Sequence, residues 1–553
     1  MTDYYDLGPH TRTITTSSPV AQRWFDRGLN WTYAFNHEEA VRCFEAAAEA
    51  DPACAMAWWG IAYAAGPNYN KPWEYFDEVD LAETIARTHA VSRQALDLLD
   101  GASPAERALI EALANRYQAA EPPGSVEDLA PWTDAYADAM RAVYRTFGND
   151  LDIASLAAEA LMNRTPWQLW DQPTGAPAAG ASTLEVKDML ERALQNPASR
   201  VHPGVLHMYI HLMEMSPTPE LALRPGDDLR GLVPDGGHLE HMPTHIDIQC
   251  GHYHDVTEWN QKAIDADRKY LEREGAMNFY TLYRVHNYHF KLYGAMFLGQ
   301  SEAALAAADG MVAMIPEDLL RVEVPPMAWW LEPFVPMKMH ALIRFGRWQE
   351  IIEMPLPADQ QLYCVTTAMI HYAKSVAFAA TGRIAEAEDE QQLFHAAVSR
   401  VPDAYQFQNT PCSDIFAVAD AMLAGELEYR KGNHDVAFAH LRRAVDLEDN
   451  LPYAEPWAWM QPTRHALGAL LLEQGHVAEA EAVYRADLGL DDSLPRSCQH
   501  PENVWALHGY HECLVRQGRH ELAAMIGQRL TLAAARADVP IQASCYCRMA
   551  AVA

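Results

Sequence analysis

The chain has 553 residues and a formal net charge of -33, with 49% hydrophobic and 21% charged residues. That balance is ordinary for a globular chain in water, while the excess of carboxylates repels phosphate backbones and disfavours nucleic-acid partners. The length leaves room for several domains, or for one long array without a single closed core.

No run of about 18 apolar residues occurs, which argues against a membrane-spanning helix. The opening "MTDYYDLGPHTRTITTSSP" lacks the basic and then apolar profile of a secretory signal. A cytoplasmic protein is expected. The nine cysteines form no CxxC pair, so neither a disulfide framework nor a thiolate zinc knuckle is expected. The nearest approach, Cys545 and Cys547 in "SCYCRM", reads as a reduced, frayed pair ahead of a soft-metal site.

From the N-terminus, the first pattern is a repeat. In "RGLNWTYAFNHEEAVRCFEAAAEADP", Gly28 and Trp31 are followed by Ala40, Phe44, Ala47 and Pro52. Small and aromatic residues at these offsets describe two short antiparallel helices, with proline closing the unit. "MAWWGIAYAAG" begins again with Trp59, Gly60 and Tyr63. The spacing returns downstream at Gly425, Ala437, Leu441 and Ala444, then at Gly468, Leu471, Ala480 and Tyr484, and Trp505 with Gly509 opens one more pair. This spacing resembles the tetratricopeptide repeat, helix–turn–helix with a period of about 34 residues. The expected fold is all-α: a right-handed solenoid of helical pairs with a concave groove.

The Pro/Gly-rich stretches 118–132 and 166–182 are expected as loops. The second carries Trp167 and Trp170 and is expected to fold back onto the array. The organisation that follows is helical repeats over 1–165, a Trp/Pro/Gly loop over 166–182, histidine-rich central repeats over 183–300 and further repeats over 301–553.

The central repeats hold the least random feature. Residues 202–289 contain ten of the 24 histidines. In "HPGVLHMYIHLMEM", Pro203 stands in a tolerated first-turn position, and His207, His211 and Glu214 follow at i, i+4 and i+7 on one helix face. "VPDGGHLEHMP" is expected as a Gly-rich loop holding His238 and His241. His245 begins the next helix, and His286 and His289 share a later one. If these helices line one groove, their imidazoles can meet at a point.

Neutral imidazole is the commonest ligand for Zn, Cu, Fe and Ni. Glu214 could be a ligand, an orienting partner or a general base, with Asp247 and Glu240 as weaker candidates. Met208, Met213, Met215 and Met242 interleave with the histidines and lean towards copper, although methionine also fills cores. Two ions could fit. His252 and His254 read as surface residues, and His202 reads equally as a helix cap or a ligand. The bland alternative is a set of groove histidines that bond to tyrosines or contact a peptide.

At these residues the chain is similar to a group of bacterial tetratricopeptide-repeat proteins. The resemblance rests on "HPGVLHMYIHLME" (202–214), "GHLEHMPTHI" (237–246) and "YAEPWAWMQPTRHALG" (453–468). It implies a shared constellation of His207, His211, Glu214, His238, His241 and His245, followed by Glu455, Trp457, Arg464 and His465. Met460 and Gln461 stand where related chains tend to have aromatic residues. Arg464 and His465 could bind a substrate carboxylate, or Arg464 could pair with Glu455.

The functional expectation is a metal-dependent oxidoreductase. A transition metal, copper or iron before zinc, would be held by His207, His211, His241 and His245, with His238, His286 and His289 as alternates or a second site. It would oxidise a small organic substrate with dioxygen; with zinc, Glu214 would activate a water for hydrolysis. The rivals are a non-catalytic scaffold for a peptide or protein partner and a metal chaperone or sensor.

Overall fold

The computed structural model describes residues 4–548. Among them are 27 α-helices, short 3-10 turns and one hairpin of two-residue strands, Gln406–Phe407 with Thr410–Pro411. The protein is all-α. Helices consecutive in the chain pack as antiparallel pairs across tight turns, as in Pro19–Tyr33 with His37–Ala50 and Thr463–Glu473 with Val477–Asp487.

The pairs close where the repeat predicts. A Cβ placed on Gly28 would lie 2.7 Å from the Phe44 ring, and one on Gly60 would lie 2.4 Å from it. One phenyl ring is therefore wedged against two bare backbones, its own pair's and the next pair's. Tyr484 does the same between Gly468 and Gly509, at 2.5 and 2.2 Å, and Leu441 sits against Gly425 at 2.7 Å. Helix starts are capped locally. Ser18 accepts from Ala21 N–H, Asn36 from Glu39 N–H, and Ser103 with Glu106 forms a reciprocal capping box.

The chain divides into two compact units. One is Met1–Ile246 with Asp265–Glu272; the other is Asp247–Ile264 with Arg273–Ala553. In the first unit, the stretch expected as a loop over 118–132 already turns helical at Ala130. Pro131 falls in that helix's first turn, where its missing N–H costs nothing. The segment 166–182 is irregular and lies against helix Pro203–Met213: Trp170 is buried and its indole N–H donates to Leu212 O at 2.6 Å.

In the second unit, Cys545 and Cys547 are joined as a disulfide, correcting the reduced, frayed pair. Their Cα atoms are 5.2 Å apart, within bridging range. The segment packs against helix Thr463–Glu473. The other seven cysteines stand outside this bridge.

A buried polyhistidine centre

The centre lies in the first unit and grows from three short pieces of helix. Helix Pro203–Met213 starts on His202, whose Nδ1 accepts from Val205 N–H. The cap reading is seen, and His202 also stands with His10 and Asp152 in a group whose ligand atoms lie within 4.8 Å of one another. His207 and His211 follow on one face, and Glu214 is the residue that ends the helix. The segment expected as a Gly-rich loop is instead helical over Gly237–His241. The glycines stay at its entrance, so His238 and His241 fall at i and i+3, with His245 one turn further in Thr244–Cys250.

His207, His211, His238, His241, His245 and Glu214 are all about 1% exposed or less. The ligand atoms of His207, His211 and His238 lie within 4.8 Å of one another. Nε2 of His207 faces Nε2 of His238 at 3.2 Å, and Nε2 of His241 faces Nε2 of His245 at 2.8 Å. Two nitrogens bound to one ion at about 2.0–2.1 Å would stand about 3.3 Å apart in a tetrahedron and about 2.9 Å apart at a right angle. Both facing pairs match such ligand spacings.

Hydrogen bonds set the tautomers. His207 Nδ1 donates to Tyr33 O at 2.7 Å, and a carbonyl can only accept. His211 Nδ1 donates to Glu214 Oε1 at 2.8 Å, and His245 Nδ1 donates to Glu214 Oε2 at 2.5 Å. Burial, then the neighbouring His211, holds His207 well below the ordinary histidine pKa; burial alone holds His211 at about 3. Both rings are therefore neutral, with Nδ1–H and a lone pair on Nε2. The Nε2 of His211 is buried with no hydrogen-bond partner. A lone pair left so in a protein interior is costly unless something binds it.

Glu214 is thus a clamp. Both oxygens accept imidazole N–H groups and fix the orientation of two rings, the arrangement that supports metal-bound histidines. Phe35 covers the centre, 4.4 Å from the His207 ring and stacked on His211 and His238 at 5.7 and 5.2 Å. It does so from a left-handed backbone, φ 54°, that a bulky residue rarely adopts. Tyr69 packs on His211 at 4.8 Å.

Residues the sequence reading passed over hold the far side of His207. Tyr33, which supplies the carbonyl, donates its hydroxyl to Asp152 at 2.6 Å. Asp152 also takes His10 at 3.0 Å, His202 at 3.1 Å and Arg12 at 2.9 Å. Burial pushes its carboxyl up, but the donors from His10 and His202 outweigh it and hold the group well below the usual range. No spacing signal links these residues; they meet only in the fold. Glu240, a weaker candidate, accepts from Gly231 N–H at 3.3 Å.

The other candidates belong to the second unit. His286 accepts from the Gln408 amide at 3.0 Å. His289 is buried, its Nε2 2.8 Å from the Met460 sulfur and its ring edge-on to Phe334 and Phe407. Asp247 faces exposed His252 at 3.7 Å. Arg464 pairs with Asp449 rather than Glu455. His465 is bonded on both sides, to Asp487 at 2.9 Å and to Arg344 at 3.0 Å, so it is built into a structural network with no ring nitrogen left for a substrate.

Fold and centre together define a tetratricopeptide-like, all-α protein with a buried cluster of histidines able to hold a metal. No family model matches the chain, and no curated protein matches it. Among solved structures it is distantly similar to IFIT1 in complex with Gppp-AAAA, at 11% identity over 86% of this chain and 90% of that one, TM-score 0.32. Yeast Tom70 matches at 10% identity over 92% of this chain and 99% of that one, TM-score 0.27. Naa15/Naa10 bound to HypK-THB matches at 12% over 93% and 70%, TM-score 0.22. Nothing about activity follows from likenesses this distant.

Proposed function

We propose that the protein is a metal-dependent oxidoreductase, with copper or iron held by His207, His211 and His238 beside the His241–His245 pair, acting on a small organic molecule. The observation that carries this reading is the buried, unpartnered Nε2 of neutral His211 next to the facing His207 and His238 nitrogens. An all-imidazole set without thiolate suits copper and iron as well as zinc. When bound, such a metal would supply one-electron chemistry that no side chain here can perform. The chain's own part is to keep Nδ1 protonated on His207, His211 and His245, so that Nε2 is the donor, and to exclude water with Phe35 and Tyr69.

The hydrolytic zinc version is weaker, because both Glu214 oxygens already accept imidazole N–H groups and Glu214 is not poised to take a proton from water. The scaffold version leaves the histidines unused, since a docking peptide cannot touch rings this deeply buried.

Metal analysis of protein purified without a histidine tag tests the proposal. Copper or iron at one or more equivalents, lost in His207→Ala/His211→Ala, supports it. A folded protein that arrives metal-free and takes up neither ion overturns it, and stoichiometric zinc with no oxygen consumption overturns the oxidative part.

A further inference from the structure

A second feature of the first unit has no place in the histidine centre. Arg116 follows helix Pro104–Leu113 and is 1% exposed, yet its Nε and Nη1 have no hydrogen-bond acceptor. A guanidinium keeps its proton under any physiological condition, so this is a charge buried without an ion-pair partner among the described residues. The nearby carboxylate, Glu159, spends its oxygens elsewhere: Tyr63 O–H donates to one at 2.8 Å and the Asn163 amide to the other at 2.5 Å. Glu159 attracts the charge and Tyr117 shares a side-chain hydrogen bond with it, yet two buried N–H groups stay unmet, which is costly unless a further acceptor binds there.

The surroundings say what kind. Tyr136 and Tyr63 wall the guanidinium, their ring centroids 4.9 and 5.9 Å from its carbon. Trp59 stacks on Tyr63 at 5.0 Å and Trp73 meets Tyr117 edge-on; both indole N–H groups are buried without acceptors. Planar aromatic walls suit an organic body. A single cation with a carboxylate close by suits one negative charge better than two.

The feature also adjoins the centre. Phe35, which covers His207, touches His37 at 5.6 Å. Arg116 and Lys71 stand close enough to His37 for their charges to act on its ring. We propose that Arg116 anchors a buried site for the carboxylate of a small aromatic or apolar acid, and that this acid is the substrate of the histidine centre. The second half rests on the proposed function; the first does not.

Calorimetry on full-length protein, as purified and after chelation, tests this with three probes: benzoate, neutral benzamide and inorganic phosphate. The expected result is saturable benzoate binding at one site, about tenfold or more tighter than benzamide or phosphate. Arg116→Gln should lose at least that factor and Arg116→Lys should keep part of it. Benzoate binding that is absent, matched by benzamide or unchanged in Arg116→Gln overturns the site. Should Arg116→Gln fail to fold, wild-type crystals soaked in benzoate decide: a carboxylate on Arg116 supports the site, and one elsewhere or none overturns it. Arg116-dependent benzoate binding in protein that takes up no metal would keep the site and remove the oxidoreductase reading. A loaded metal whose absorption benzoate leaves untouched would remove the substrate assignment alone.

Discussion

Glu214 joins two helical segments through two hydrogen bonds, and its side chain is where the centre is most easily tested. Glu214→Gln keeps the shape but offers one acceptor oxygen, so either His211 or His245 must leave its Nδ1–H unsatisfied or turn its ring. Metal affinity, measured by chelator competition, should fall about 10- to 100-fold. The buried orphan should lower stability by about 1–3 kcal/mol in urea unfolding. An unchanged affinity would mean that Glu214 does not orient the ligands. His465 gives a second test at this scale. Burial holds it at about 4 although Asp487 pulls the other way, against an ordinary value of about 6.5. Between those values the unfolded chain binds a proton that the folded chain refuses. Stability therefore falls as pH drops from about 6.5 to 4, by up to about 3 kcal/mol. His465→Gln should flatten that part of the pH profile in denaturant titrations; an unaltered slope would contradict the assignment.

At the scale of elements, what matters is how closely consecutive helices approach. Gly60→Ala places a methyl group 2.4 Å from the Phe44 ring, and that ring is also held against Gly28. The overpacking should cost about 1–3 kcal/mol, read as a fall in Tm. Gly101→Ala is the control: a Cβ there meets nothing within 4 Å, and Tm should stay within the noise of ordinary surface changes. Equal effects at the two positions would refute the wedge. The repeat glycines and their aromatic partners were legible in the sequence because they lie on helices consecutive in the chain, where spacing and contact are nearly the same thing. The segment 237–241 was misread as a loop because its glycines precede the histidines and its helix is only five residues long, too short for periodicity to register.

For the molecule as a whole, net charge bears on stability. A formal charge of -33 makes the compact state repel itself, and salt screens that repulsion over about 10 Å at 0.1 M. Thermal midpoints should therefore rise with added sodium chloride near neutral pH; a flat or falling response would show that local ion pairs dominate. A metal that binds the folded chain alone raises stability through mass action, by about 2.7 kcal/mol at one hundred times its Kd. Chelated protein should melt lower and recover on adding back copper or iron, and His207→Ala should not recover. The cluster's membership was only partly open to sequence reasoning. His207, His211 and Glu214 share a helix face, so their spacing announces them. Phe35, Tyr33 and Asp152 reach their places from far along the chain, with no local pattern to mark them.

The sequence by itself determined the helical repeat, the glycine packing of the helices and the sharing of one helix face by His207 and His211, because those follow from offsets of four and sixteen or so residues along a helix or hairpin. The tertiary structure alone decided that Glu214 is a clamp, that His465 is locked in a network and that two N–H groups of buried Arg116 lack an acceptor. Such roles depend on which distant donors and acceptors arrive at each atom, and chain separation carries no record of that.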